Sequence, residues 1–278
     1  MTPTVIGLVL VAALMNASWN AALRGAEDRL WAVTVMSYAT TAAALPCVLL
    51  FPLPDTASWP YAATSAVLQT GYGVFLAYAY RHGELGHVYP IARGGAPPMV
   101  AMASFLFAGQ PLTPPLILGV TLISGGVLIS AFGRNRAPPK SIGLALVTAL
   151  FVASYVTVDG IGVRRSGHPL SYAAWVFLLY GALAPFAYLA LRRRFASNAF
   201  SREGIKALAG GFVSVLSYGT VLVALALAPI GPVAALRETS IVFSILIGHF
   251  ALRERTTLKR ILTCVAVTVG AVVISAAR

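Results

Sequence analysis

The sequence predicts an all-α membrane protein: ten transmembrane helices arranged as two inverted five-helix repeats. Three features lead to this expectation: a composition too apolar for water, apolar runs of bilayer length, and ordered matches between the two halves of the chain.

Of 278 residues, 58% are hydrophobic and 10% charged, with a mean hydropathy of +0.82. A soluble domain carries about a quarter charged residues. A bilayer core takes about 20 apolar residues to cross. Ten runs approach that length, at 4–22, 30–51, 61–80, 86–108, 113–132, 141–161, 169–191, 205–227, 231–252 and 258–277. The turns between them are short and leave little chain for a soluble domain. No Lys or Arg precedes the first run and further runs follow, so it reads as a span rather than a cleaved leader. Cys47 and Cys264 both fall inside runs, which offers neither a disulfide framework nor metal-ligand spacing.

The net charge of +12 would suggest nucleic acid in a soluble protein. Here it is an orientation signal, because cytoplasmic loops of membrane proteins are rich in Lys and Arg. The loops after runs 1, 3, 5, 7 and 9 carry Arg24, Arg29, Arg81, Arg134, Arg136, Lys140, Arg192, Arg193, Arg194, Arg202, Lys206, Arg253, Arg255, Lys259 and Arg260. The opposite side holds Arg164, Arg165 and Arg278. This places the basic loops in the cytoplasm and both termini outside. The partners expected are the lipid bilayer and a small molecule, with no nucleic acid.

The halves match in order. "ALMNASW" (13–19) aligns with "ALFVASY" (149–155), "GYGVFLAYAY" (71–80) with "SYGTVLVALA" (217–226), and "GGVLISAFGR" (125–134) with "GAVVISAAR" (270–278). The boundary lies in the basic, Pro-rich "GRNRAPPK" (133–140), giving repeats 1–137 and 138–278. Five is odd, so the second repeat enters the membrane in the opposite sense to the first. Inverted repeats of this kind bind substrate near the midplane, beside interrupted helices.

Within the spans the polar residues are few and paired between halves. Arg93 in "HVYPIARGGAPP" aligns with Arg237 in "GPVAALRETSIVF", and the same offset sets Gln110 opposite Glu254. Each arginine lies about seven residues into its span, or roughly 10 Å of helix. A lone arginine at that depth can snorkel to the interface, but two at equivalent positions of opposed repeats suggest a shared cavity. Pro90, Gly94, Gly95 and Pro97 (with Pro98) predict a break in the fourth span, since proline removes a backbone donor. An arginine beside such a break suits a negative group.

Glu238 is the clearest intramembrane carboxylate. It can neutralise either arginine, bind an amine or carry a coupling proton. Asp159, close to Arg164 and Arg165, reads as interfacial. Asn16, Trp19 and Asn20 share one face of the first span and serve packing or a polar substrate. Tyr72, Tyr89 and Tyr218 add hydroxyls and rings to the candidate site, whereas Tyr78 and Tyr80, near a span end, fit an interface better.

The stretches "GHVYPIARGGAPPMVAMASFLFAGQ" (86–110) and "GPVAALRETSIVFSILIGHFALRE" (231–254), within ten spans in two halves, resemble the EamA-type members of the drug/metabolite transporter superfamily. The resemblance covers essentially the whole chain. It implies a carrier of small metabolites, often amino acids or their relatives and commonly for efflux, in a bacterial inner membrane. Glu254 fits the acidic residue with which such a helix closes in this family, and Gln110 departs from it.

Arginines dominate the buried charge and the first span has no acid, so an anionic or zwitterionic metabolite is favoured over a cationic or hydrophobic drug. No P-loop is present, so energy comes from a gradient, by proton coupling, or from exchange with a counter-substrate. A membrane-embedded lipid-modifying enzyme is the competing class, but its metal cluster, activated nucleophile or paired acids are not evident. No cofactor or metal is expected.

Overall fold

The structure is a computed structural model that describes residues 1–22, 28–83, 85–130, 138–251, 253 and 257–276. The described residues form helices α1 (Pro3–Ala22), α2 (Arg29–Leu50), α3 (Trp59–His82), α4 (Leu85–Ala108), α5 (Pro114–Ile129), α6 (Pro139–Arg164), α7 (Pro169–Arg192), α8 (Arg202–Leu227), α9 (Ile230–Arg237), α10 (Ser240–Phe250) and α11 (Leu258–Ala276), with a 3₁₀ turn at Thr56–Ser58. Several helices carry proline at their first or second position, where the missing N–H has no helical partner anyway. Asp28 caps α2 by accepting from the Trp31 N–H at 3.1 Å, and Ser201 caps α8 through the Gly204 N–H at 3.1 Å.

Among the described residues, eight segments are long and apolar enough to cross a membrane: α1, α2, α4, α6, α7, α8, α9 with α10, and α11. The other two predicted spans are helical but fall short for different reasons. The 16 residues of α5 extend about 24 Å. Helix α3 has 24 residues but carries Gln69, Tyr72, Tyr80, Arg81 and His82.

The predicted break in the fourth span is not where the chain breaks. Helix α4 runs from Leu85 to Ala108 with Pro90, Pro97 and Pro98 inside it. Gly94 and Gly95 serve close packing instead: a Cβ on Gly94 would lie 2.9 Å from Leu128 of α5, and one on Gly95 3.3 Å from Ala149 of α6. The break falls in the ninth span, between α9 and α10. There the Glu238 N–H bonds back to the Ala235 carbonyl at 3.0 Å and the Thr239 N–H to Leu236 at 3.1 Å. The helix tightens for two residues rather than unwinding.

Packing is nearly unchanged when the halves are exchanged, with α9 and α10 counted as one segment. Helix α3 packs on α6 as α8 packs on α1, and α4 on α6 as α9 and α10 pack on α1. Similarly, α2 meets α8 as α7 meets α3, and α4 meets α5 as α9 and α10 meet α11. The pairs α2 with α7 and α5 with α11 map onto themselves. One departure matters for the site. Helix α6 touches α7 and α8, while α1 is not packed comparably on α2 or α3. The gap between α1, α2 and α3 is a cavity.

The α5–α11 contact depends on the absence of side chains: a Cβ on Gly270 would lie 2.7 Å from the Gly119 carbonyl oxygen. Small residues let membrane helices approach in this way. Gly270→Leu is expected to destabilise the protein by about 1–3 kcal/mol, read as a lower unfolding temperature in detergent. Gly125→Leu, whose Cβ meets nothing within 4 Å, is the control expected to leave it unchanged.

Candidate functional site

One helical stripe after another turns toward this gap. Gln69, Tyr72, Gly73, Leu76 and Tyr80 follow a three-and-four spacing along α3, as do Ser214, Ser217 and Tyr218 on α8. Asn16, Trp19 and Asn20 come from α1, Tyr89 and Arg93 from α4, and Arg237 from α9. The cavity encloses about 1320 Å³ of empty space including its open mouth. All eight substrate-binding residues nominated from the sequence (Asn16, Trp19, Asn20, Tyr72, Tyr89, Arg93, Tyr218 and Arg237) line it. Asn20, Arg29 and Tyr80 lie at the helix ends that also carry Arg81 on α3 and Arg192 on α7, the latter paired with Asp28, so the cavity opens toward the basic end of the bundle.

The structure also supplies lining that sequence reasoning missed: Tyr155 on α6, with Phe177 and Tyr180 on α7. Polar spacing gave no signal for Phe177. Tyr155 was legible in principle, because it aligns with Trp19 in the repeat. Tyr80 belongs here too rather than to an interface, with the Arg29 guanidinium carbon 4.8 Å from its ring centroid. Tyr78 is exposed and lies off the cavity.

The two arginines differ in their surroundings. Arg93 is 5% exposed and forms an ion pair with Glu238, Nη2 to Oε1, at 3.1 Å. It also donates to Ser240 Oγ at 3.4 Å. The pair joins α4 to the turn between α9 and α10, and so links the two halves. Arg237 is 9% exposed and ends α9. Its guanidinium carbon sits 5.0 Å from the Tyr218 ring centroid, its Nε has no hydrogen-bond partner, and among the described residues no acid is within ion-pair distance. A ring face attracts a cation, but it does not neutralise one.

Asp159 is a correction to the sequence reading. It is not interfacial but fully buried, accepting hydrogen bonds from Tyr218 Oη at 2.6 Å and Tyr172 Oη at 3.0 Å. The nearby arginines turn elsewhere: Arg164 donates to the Leu225 and Ala228 carbonyls, and Arg165 to Tyr61 Oη. Asp159 therefore fixes the Tyr218 ring beneath Arg237.

The amides of α1 are partly engaged, Asn20 Nδ2 donating to the Asn16 carbonyl at 2.8 Å. Trp19 Nε1 is buried without a hydrogen-bond partner among the described residues. Gln110 accepts from the Ile230 N–H at 2.8 Å and so caps α9 at the far side of the bundle. Glu254, its predicted counterpart, lies outside the described residues. Among the described residues no three His, Cys, Asp or Glu side chains converge as metal ligands.

Residues 139–276 match the EamA-like transporter family. No curated protein matches the sequence. A solved crystal structure, 16% identical, superposes with a TM-score of 0.79 over 98% of this chain and 96% of its own, a likeness of fold alone.

Proposed function

This chain belongs to the EamA-like transporter family, within the drug/metabolite transporter superfamily, and we propose that it is a secondary carrier of a small anionic or zwitterionic metabolite. The observation that carries this reading is Arg237, a buried guanidinium without an acid partner, facing a cavity of tyrosines and amides. A buried charge is costly unless something compensates it, and a substrate anion is the partner that such a cavity can admit.

The near-invariance of the packing when the halves are exchanged supports ten membrane helices in two inverted repeats, α9 and α10 forming one crossing. Alternating access then consists of closing the gap between α1, α2 and α3 while the equivalent gap opens on the other face. With basic loops in the cytoplasm, the open cavity faces inward, as for efflux or exchange. Glu238, paired with the lining residue Arg93, is the carboxylate through which a proton would couple. Counterflow is the alternative to a proton gradient.

Flux and topology test the reading together. Proteoliposomes preloaded with an organic acid or amino acid are expected to accumulate the labelled compound by saturable counterflow; conductance without counterflow, or no flux across a broad panel, defeats the carrier reading. With Cys47 and Cys264 replaced by serine, Thr56→Cys is expected to react with a membrane-impermeant maleimide in intact cells. Ser197→Cys is expected to react only after permeabilisation. Labelling of both from one side defeats the topology.

A further inference from the structure

The lining of the cavity narrows the substrate further. Among the described residues it contains three arginines, Arg29, Arg93 and Arg237, and no acid. Glu238 compensates Arg93 from outside the lining, and Asp159 is held by the hydroxyls of Tyr218 and Tyr172. An ammonium group entering here would lose its water and find no carboxylate, which is costly for a cation. A carboxylate would find Arg237.

The rings beside Arg237 set the shape. Tyr218 and Tyr155 meet edge to face with centroids 5.7 Å apart, Tyr155 and Tyr72 at 6.0 Å, and Tyr218 and Phe177 at 6.3 Å. Aromatic rings favour this geometry at these separations, and a flat ligand ring can extend the series into the cavity. The hydroxyls of Tyr72 and Tyr155 make no hydrogen bond with the described residues and remain as donors to a ligand oxygen. Aliphatic polar metabolites would leave these ring faces wet.

We propose that the substrate is an aromatic monocarboxylate without an ammonium group, its carboxylate on Arg237 and its ring against Tyr155, Tyr218 and Phe177. This proposal rests on the carrier reading above. The test is calorimetric binding to the purified protein of three probes of related skeleton: 3-phenylpropanoate, L-phenylalanine, which adds the ammonium, and hexanoate, which lacks the ring. 3-Phenylpropanoate is expected to bind roughly tenfold or more tightly than either of the others. Arg237→Gln is expected to abolish its binding, and Arg237→Lys to restore part of it.

Equal binding of phenylalanine overturns the proposal, because the ammonium then has a partner. Equal binding of hexanoate overturns it too, because the rings are then not recognised, and so does failure of 3-phenylpropanoate to bind wild type. Counterflow with succinate and inorganic phosphate separates the two readings. If either is carried and 3-phenylpropanoate is not, the carrier reading survives and this inference falls. If none of the three shows saturable flux, this inference falls and the carrier reading loses its anion.

Discussion

Arg237→Gln is expected to lose substrate binding and keep or gain thermal stability. Removing one side of a desolvated charge pair costs about 3 kcal/mol, roughly a hundredfold in affinity, so transport at sub-saturating substrate should fall by a similar factor. Stability should move the other way. In the empty cavity Arg237 has no acid at ion-pair distance and its Nε is unbonded; the Tyr218 ring and the longer-range pull of Asp159 and Glu238 offset its desolvation only in part. Glutamine fits the same space without the charge. Equilibrium binding and unfolding temperature in the same detergent check both halves of the expectation. A variant that unfolds earlier yet transports normally would make Arg237 a structural residue.

Eight of the ten predicted crossings were legible because the bilayer sets a length, and among the described residues the other two runs are helical as well. The position of the break was not. Prolines drew attention to α4, but a membrane helix tolerates proline where neighbouring helices pack closely, as α5 and α6 do around Gly94 and Gly95. The true break has no Gly or Pro at the joint; its mark is four successive polar residues, Arg237, Glu238, Thr239 and Ser240, inside an apolar run. Candidate site residues are legible where a charged, amide or aromatic group stands out in apolar sequence; Gln69, Ser214 and Ser217 also line the cavity but do not stand out in this way. Phe177 escaped because it does not stand out in such a span, and Asp159 because a span end drawn a few residues early moved it to the interface. Helix α6 continues to Arg164. Nor can spacing say which arginine Glu238 pairs with: the one at ion-pair distance is Arg93 from the other half, not its neighbour in sequence.

This cross-half pairing leaves Arg93 and Arg237 in different surroundings. On the face away from the open cavity, Arg164 holds the Leu225 and Ala228 carbonyls and Gln110 the Ile230 N–H, tying α6 and α4 to the connection between α8 and α9. In the alternating-access cycle proposed above, these ties would be the ones to break when that face opens. The ion pair Arg93–Glu238 lies between them and the cavity, at the turn where α9 gives way to α10.

A double-mutant cycle at that pair is therefore expected to show strong coupling in stability and weak coupling in binding. Arg93→Met leaves the Glu238 carboxylate buried and unpaired, at a cost of about 3–5 kcal/mol. Glu238→Gln alone leaves the Arg93 guanidinium buried without its carboxylate and is also destabilising. Arg93→Met with Glu238→Gln removes both charges, and most of the lost unfolding temperature should return, since buried ion pairs often add little over neutral packing. The double variant still has Arg237, so its substrate affinity should stay within about threefold of wild type, the scale of a rearranged neighbour rather than a lost charge contact. Additive losses of stability would mean that the pair does not hold the halves together. Loss of binding as complete as in Arg237→Gln would place Arg93 on the substrate, with Glu238 as its release partner.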